Sequence, residues 1–346
     1  MLLKTELKGG YGGNRKVAAI ISVALIICAI AVGASQRGAR AGLTTAAGQA
    51  SAQASRGWLA GQGVQGKRDK CGWIEDIGSM EKQIVSQGGQ DGVLEYIFDQ
   101  IKVTNKYFVE FGFGYAGGRA VDNATFYSLG LNTGLLFKSG WKGMYFDALI
   151  ESKEFGVVKT TLTEDNIVDE FMKHGVLHEM DYLSIDVDSV DFWLLKSILH
   201  SSSPFRPRVM SVEFNINFSP DMMVSMEPSW HAWPGRSVYG ASAGALNYVA
   251  GLAGYSVVYI MPNGMDMFFI RNDILGSCAD QDRFARLAAQ VMPERKHPPC
   301  DATDLSRLVD VYSYLQTERN FNYSNEKAKA EVQRLKEEWS VQMCNT

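Results

Sequence analysis

The stretch YLSIDVDSVDFW, residues 182–193, sets Asp186, Asp188 and Asp191 within six residues at the end of an apolar run. Further on, VEFNINFSP carries Glu213 and Asn215, two apart and therefore on one face of a strand. Carboxylates grouped in this way suit two kinds of chemistry: removal of a proton by a general base, and ligation of a hard cation such as Mg2+, which takes carboxylate oxygens. The candidate bases are Asp186, Asp188, Glu213 and His231, the last within the aromatic-rich EPSWHAWPG, where Trp230 and Trp233 can stack on a sugar face. The candidate cation ligands are Asp186, Asp188 and Glu213. A structural role competes for two of these aspartates. Asp188 can be the N-cap of the helix VDFWLLKSIL, which makes Asp191 its third residue, where free backbone N–H groups and the helix dipole favour a carboxylate.

A second motif lies upstream. In EFGFGYAGG, Gly112, Gly114 and Gly117 satisfy G-x-G-x-x-G, a pattern that lets backbone approach a ligand at a helix N-terminus. A dinucleotide would set its pyrophosphate there, and the negative Glu110 just before the loop opposes that. S-adenosyl-L-methionine instead brings a cationic amino group, from which Glu110 can accept. Asp147, closing GMYFDA, is the acid expected on ribose hydroxyls with either cofactor. In TLTEDNI, Asp165 and Asn166 are both placed to meet an adenine ring or to cap the next helix.

These residues need strands to carry them to one edge. Apolar runs at YFVEF, GMYFDAL, FGVVKTTL, DYLSIDVD and RVMSVEFNINF alternate with helical patterns at QDGVLEYIFDQI, TGLLFKSG, NIVDEFMKHGV, VDFWLLKSIL and GASAGALNYVAGLAG. Strands separated by helices predict an α/β fold with an open, mostly parallel, Rossmann-like sheet. YSVVYIM and MDMFFIRND, joined by PNG, predict an antiparallel hairpin at one edge. In such a sheet ligands bind at the carboxyl ends of the strands where strand order reverses, and each candidate residue follows an apolar run.

The 346-residue chain has a net charge of -4, 46% hydrophobic and 21% charged residues, which suits a globular body and gives no electrostatic basis for binding nucleic acid. Residues 17–34, VAAIISVALIICAIAVGA, contain no charge, and basic residues are denser before them than after. This predicts a cytoplasmic tail over residues 1–16 and a transmembrane signal anchor over 17–34. A Gly-, Ala- and Ser-rich stalk over 35–70, a folded domain over 71–275 and a helical C-terminal extension over 276–346 would follow. The body would then face the ER or Golgi lumen; a cleaved secretory or organellar leader is the alternative. Cys71, Cys278, Cys300 and Cys344 form an even set that can make two disulfides in an oxidising lumen. The sequons at Asn123, Asn217 and Asn322 would be available in the same compartment.

YFVEFGFGYAGG, GLNTGLLFKSGWKGMYFD, NIVDEF, DYLSIDVDSVDFW, PRVMSVEFN and VYGASAGALNYVAGLAGYSVVYI occur in the order seen in FkbM-like proteins. Over residues 72–273 the chain resembles this family of the S-adenosylmethionine-dependent methyltransferase superfamily, and a eukaryotic branch of it most of all. The resemblance implies a class I methyltransferase sheet with the cofactor at Glu110, Gly112, Gly114 and Asp147. It also implies O-methylation of a sugar, glycan or other hydroxyl compound. Two features depart from the family pattern: the longer link RAVDNATFYSLG, and a connection after Asp147 too short for a crossover helix. The rival readings are a tethered, non-catalytic domain of the same fold that binds a glycan or partner, and an NAD-binding oxidoreductase.

Overall fold

The computed structural model describes residues 70–113, 122–230, 233, 235–291, 304, 306–312 and 314–315. Seven strands form the main sheet: β1 (Tyr107–Phe111), β2 (Lys142–Asp147), β3 (Val157–Lys159), β4 (Tyr182–Ile185), β5 (Val209–Glu213), β7 (Tyr255–Ile260) and β8 (Asp266–Arg271). They lie in the order β3-β2-β1-β4-β5-β8-β7, all parallel except β8, which is antiparallel to both β5 and β7. The expected hairpin is therefore present, with β8 inserted beside β5 and β7 at the edge. Strand order reverses between β1 and β4, where a ligand cleft is expected.

Side-chain alternation along the strands builds a layer on each face. On one side Phe108, Tyr182 and Val209 pack with Val93, Leu94, Ile97 and Phe98 of α1 (Gln90–Ile101), Phe126 of α2 (Asn123–Ser128) and Leu136 of α3 (Gly134–Lys138). On the other, Val109, Leu183 and Met210 pack with Phe171 of α4 (Ile167–Lys173), Trp193 and Leu194 of α5 (Asp191–Leu199) and Leu246 of α6 (Ala243–Leu252). Strands covered on both faces read as continuous apolar runs, which is why DYLSI and RVMSV were legible as core strands.

The amino end of the sheet is locked by Asp181, just before β4. Its side chain is fully buried; it accepts from the backbone N–H groups of Thr104, Asn105 and Lys106 and pairs with Arg208 at 2.6 Å. Burial works against ionisation, yet these donors hold its carboxyl below the ordinary range.

Several elements differ from the sequence expectation. β4 stops at Ile185 and β5 at Glu213, so Asp186 and Asp188 stand in the following turn. The connection from β2 to β3 contains no helix, as its length required. The link after the glycine loop carries the extra helix α2, capped by Asp122, whose Oδ1 accepts from the Thr125 N–H at 2.7 Å. Within the expected helical extension, α7 (Arg283–Ala288) is followed by a strand, β9 (Leu308–Asp310), which pairs antiparallel with β6 (Val224–Met226) in a second small sheet. Cys71 and Cys278 form a disulfide across 207 residues; Cys300 and Cys344 lie outside the described residues. No described helix is long and apolar enough to cross a membrane, and residues 17–34 lie outside the described ones.

Candidate functional site

A cleft of about 630 Å³ opens at the carboxyl ends of β1, β2, β4 and β5, at the reversal of strand order. That volume falls in the range of small-molecule and cofactor sites. Its walls include Gly112 after β1, Asp147 to Ile150 after β2, Thr160 to Leu162 after β3, residues 186–190 after β4, and Glu213.

Strand register brings two of the acids together. Ser184 of β4 pairs with Ser211 of β5, so two residues onward Asp186 and Glu213 meet at the same edge. Asp188 joins them through a tight turn in which it takes a left-handed φ of 58°, uncommon for a residue with a side chain. Asp191 braces that turn: its Oδ1 accepts from the Val187 N–H at 2.8 Å and its Oδ2 from the Ser189 N–H at 3.0 Å. One oxygen each from Asp186, Asp188 and Glu213 lie within 4.8 Å of one another. Glu213 Oε2 is shut off from solvent and, among the described residues, accepts no hydrogen bond, while Asp186 receives from those residues only a long contact from Gln87 Nε2, at 3.4 Å. Burial and then mutual repulsion push the carboxyls of Asp186 and Glu213 well above their ordinary range; burial raises Asp188 as well.

The capping expectation for Asp188 is overturned. Val190 holds the N-cap position of α5, and Asp191 is its first residue rather than its third. With a left-handed backbone and no capping bond, Asp188 belongs to the acidic cluster. Asn215 is also structural: its amide donates to the carbonyls of Ser237 and Tyr239, both at 2.9 Å, and shapes the loop that carries Trp233.

On the cofactor side, Gly112 has a φ of 73°, and a Cβ there would lie 2.4 Å from the carbonyl oxygen of Asp186. Glycine is needed here so that the ends of β1 and β4 can close up beneath the cleft. Asp147 Oδ1 accepts from the N–H groups of Leu149 and Ile150, at 2.7 and 2.8 Å, and the residue lines the cleft. Leu149 is 69% exposed, and with Ile150 and Leu162 it makes an apolar slot beside Asp147.

Glu110 and Asp165 stand differently from expectation. Glu110 sits at the floor, 4% exposed, with Oε1 accepting from the Asn132 N–H at 2.8 Å and Oε2 from the Thr133 N–H at 3.0 Å and from the Thr133 hydroxyl. Burial pushes its carboxyl up to about 7 against the pull of those donors. Its oxygens are engaged by the loop before α3 at the floor of the cleft, which Glu110 lines. Asp165 is exposed and lies outside the cleft wall. Asn166 occupies the N-cap position of α4, but its side chain pins the preceding turn, accepting from the Thr163 N–H at 2.8 Å. Gly114, Gly117 and His231 lie outside the described residues.

Of the two tryptophans, Trp233 lines the cleft, 5.2 Å from the Tyr239 ring, while Trp230 packs with the small second sheet under the Arg307 guanidinium. Sequence reasoning missed Gln87 and the 129–132 segment as cleft residues; both arrive from flanking loops with no spacing signal. Among the described residues that line the cleft, five are carboxylates (Glu110, Asp147, Asp186, Asp188 and Glu213) and none is lysine, arginine or histidine. A scan against protein-family models finds no matching family, and a search of the curated proteins finds no matching sequence.

Proposed function

We propose that this chain is an S-adenosyl-L-methionine-dependent methyltransferase that transfers the methyl group to a hydroxyl of a sugar, glycan or related small molecule. The observation that carries the reading is a cofactor-sized cleft at the strand-order reversal that is lined with carboxylates and, among the described residues, with no basic side chain. A sulfonium cation is favoured there, whereas the pyrophosphate of NAD would meet repulsion. The antiparallel β8 also departs from the all-parallel dinucleotide sheet and agrees with the FkbM-like resemblance.

In this reading Asp147 accepts from the ribose hydroxyls, and Leu149, Ile150 and Leu162 hold the adenine. Gly112 lets the methionine portion pass close to the backbone. Transfer is an in-line displacement, so the acceptor oxygen must sit about 3–3.5 Å from the methyl carbon. Asp186 and Glu213 stand where that oxygen would arrive, and with raised proton affinity either can take the hydroxyl proton. The sulfonium leaves as the neutral thioether. The donor set of Asp186, Asp188 and Glu213 fits Mg2+, and the unpartnered Glu213 oxygen supports that fit. When bound, the ion would offset the carboxylate repulsion and polarise the acceptor hydroxyl.

The Cys71–Cys278 disulfide supports a body in an oxidising compartment, with residues 17–34 as its type II membrane anchor and the cleft facing the ER or Golgi lumen. The test is a labelled methyl-transfer screen over glycans, lipids and small hydroxy compounds, with and without Mg2+. Transfer that falls at least 100-fold in Asp186→Asn supports the reading. Cofactor binding without transfer to any acceptor would favour a tethered binding domain instead.

A further inference from the structure

Two of the three sequons fall on described residues, and their surroundings differ sharply. Asn123, in Asn123-Ala124-Thr125, is exposed at the first position of α2. Among the described residues no hydrogen bond holds its amide, and it lies outside the cleft wall. Asn217, in Asn217-Phe218-Ser219, is only 9% exposed, and its Nδ2 donates to Asn215 Oδ1 at 2.8 Å. The neighbouring Phe218 is buried with Val224 and Val238. A sugar on Asn217 would replace an amide hydrogen in a closed site and would have to displace that packing.

A second, independent observation concerns the compartment. The disulfide joins Cys71, at the start of the folded body, to Cys278, after the last strand of the main sheet. Such bonds persist where thiols are not kept reduced, which in a eukaryotic cell is also where sequons are modified.

We infer that the folded protein carries an N-linked glycan on Asn123 and none on Asn217. The inference rests on the translocated-body reading above and is independent of the methyltransferase reading. Glycan transfer reaches sequons before folding, so chains modified at Asn217 would be lost, while those modified at Asn123 fold with the sugar in solvent. Because Asn123 lies outside the cleft lining, its replacement leaves cofactor binding unchanged.

The test uses the full chain expressed in a eukaryotic secretory system, in an Asn322→Gln background so that only these two sites report. The expected result is a single mobility step on enzymatic deglycosylation that is lost in Asn123→Gln and in Thr125→Ala and kept in Asn217→Gln. Thiol alkylation without reductant, followed by peptide mapping, reads Cys71 and Cys278 in the same samples. Blocked cysteines with no mobility step, or a step that survives Asn123→Gln, overturn the glycan assignment while the compartment reading stands. Freely alkylated Cys71 and Cys278 with no step overturn both.

Discussion

Asp186, Asp188 and Glu213 are held close together, and each would be less costly to bury if neutral. Asp186→Asn should therefore raise the melting temperature of the ligand-free protein, by the equivalent of about 1 kcal/mol, while abolishing transfer. Unchanged stability together with lost activity would argue against burial and repulsion as the source of the raised proton affinity. Asp266, buried at the start of β8, offers a cleaner titration. Its Oδ2 accepts from Gln90 Nε2 at 2.8 Å and from Asn132 Nδ2 at 3.3 Å, its Oδ1 has no partner, and burial pushes it up to about 6. A folded-state pKa above the ordinary value of 3.8 means that ionisation costs stability as pH rises from about 4 to 6, and the full cost persists above that window. Asp266→Asn removes it: a gain of about 1–3 kcal/mol is expected at pH 8 and about a third of that at pH 4.5. Denaturant melts at the two pH values check this, and an equal effect at both would contradict it.

At the scale of elements, Gly112 joins the ends of β1 and β4. Gly112→Ala forces a Cβ against the Asp186 carbonyl oxygen on a left-handed backbone, so a loss of about 1–3 kcal/mol is expected from the backbone conformation alone, with weaker cofactor binding. Thermal melts and calorimetry read the two effects separately. The same junction shows how much of the molecule was legible beforehand. Continuous apolar runs and helical spacing located β1 to β5, the hairpin and five main helices, because doubly covered strands and amphipathic helices leave those patterns. Asp186 and Glu213 could be nominated from strand ends, but their meeting depends on the Ser184–Ser211 register, which lies between segments and leaves no local trace. The hydrogen-bond partners of Glu110 were hidden for a related reason: Asn132 and Thr133 come from a loop 22 and 23 residues away. Asp188 looked like a cap because its type and position fit one, and only the left-handed turn braced by Asp191 shows otherwise. Strand β9 was hidden in a charged segment, where three residues form too short a run to register as a strand.

Across the whole molecule, the disulfide ties Cys71 to Cys278 and closes nearly the entire described body into one loop. Chain-entropy reasoning gives such a long loop a contribution of up to about 5 kcal/mol. Cys71→Ser with Cys278→Ser should therefore lower the denaturation midpoint clearly, and reductant should do the same to the wild type and nothing to the double variant. The acidic cleft is the other global feature, and the proposed function rests on its favouring a cationic cofactor over an anionic one. Titration calorimetry of the purified chain with S-adenosylmethionine and with NAD puts that selection to the most direct test. One S-adenosylmethionine site, no NAD binding, a loss of tenfold or more in Asp147→Ala and no change in Asp165→Ala are predicted, the loss corresponding to about 1.4 kcal/mol for a hydrogen bond to a charged group. NAD binding in its place, or S-adenosylmethionine binding that Asp147→Ala leaves intact, would contradict the account.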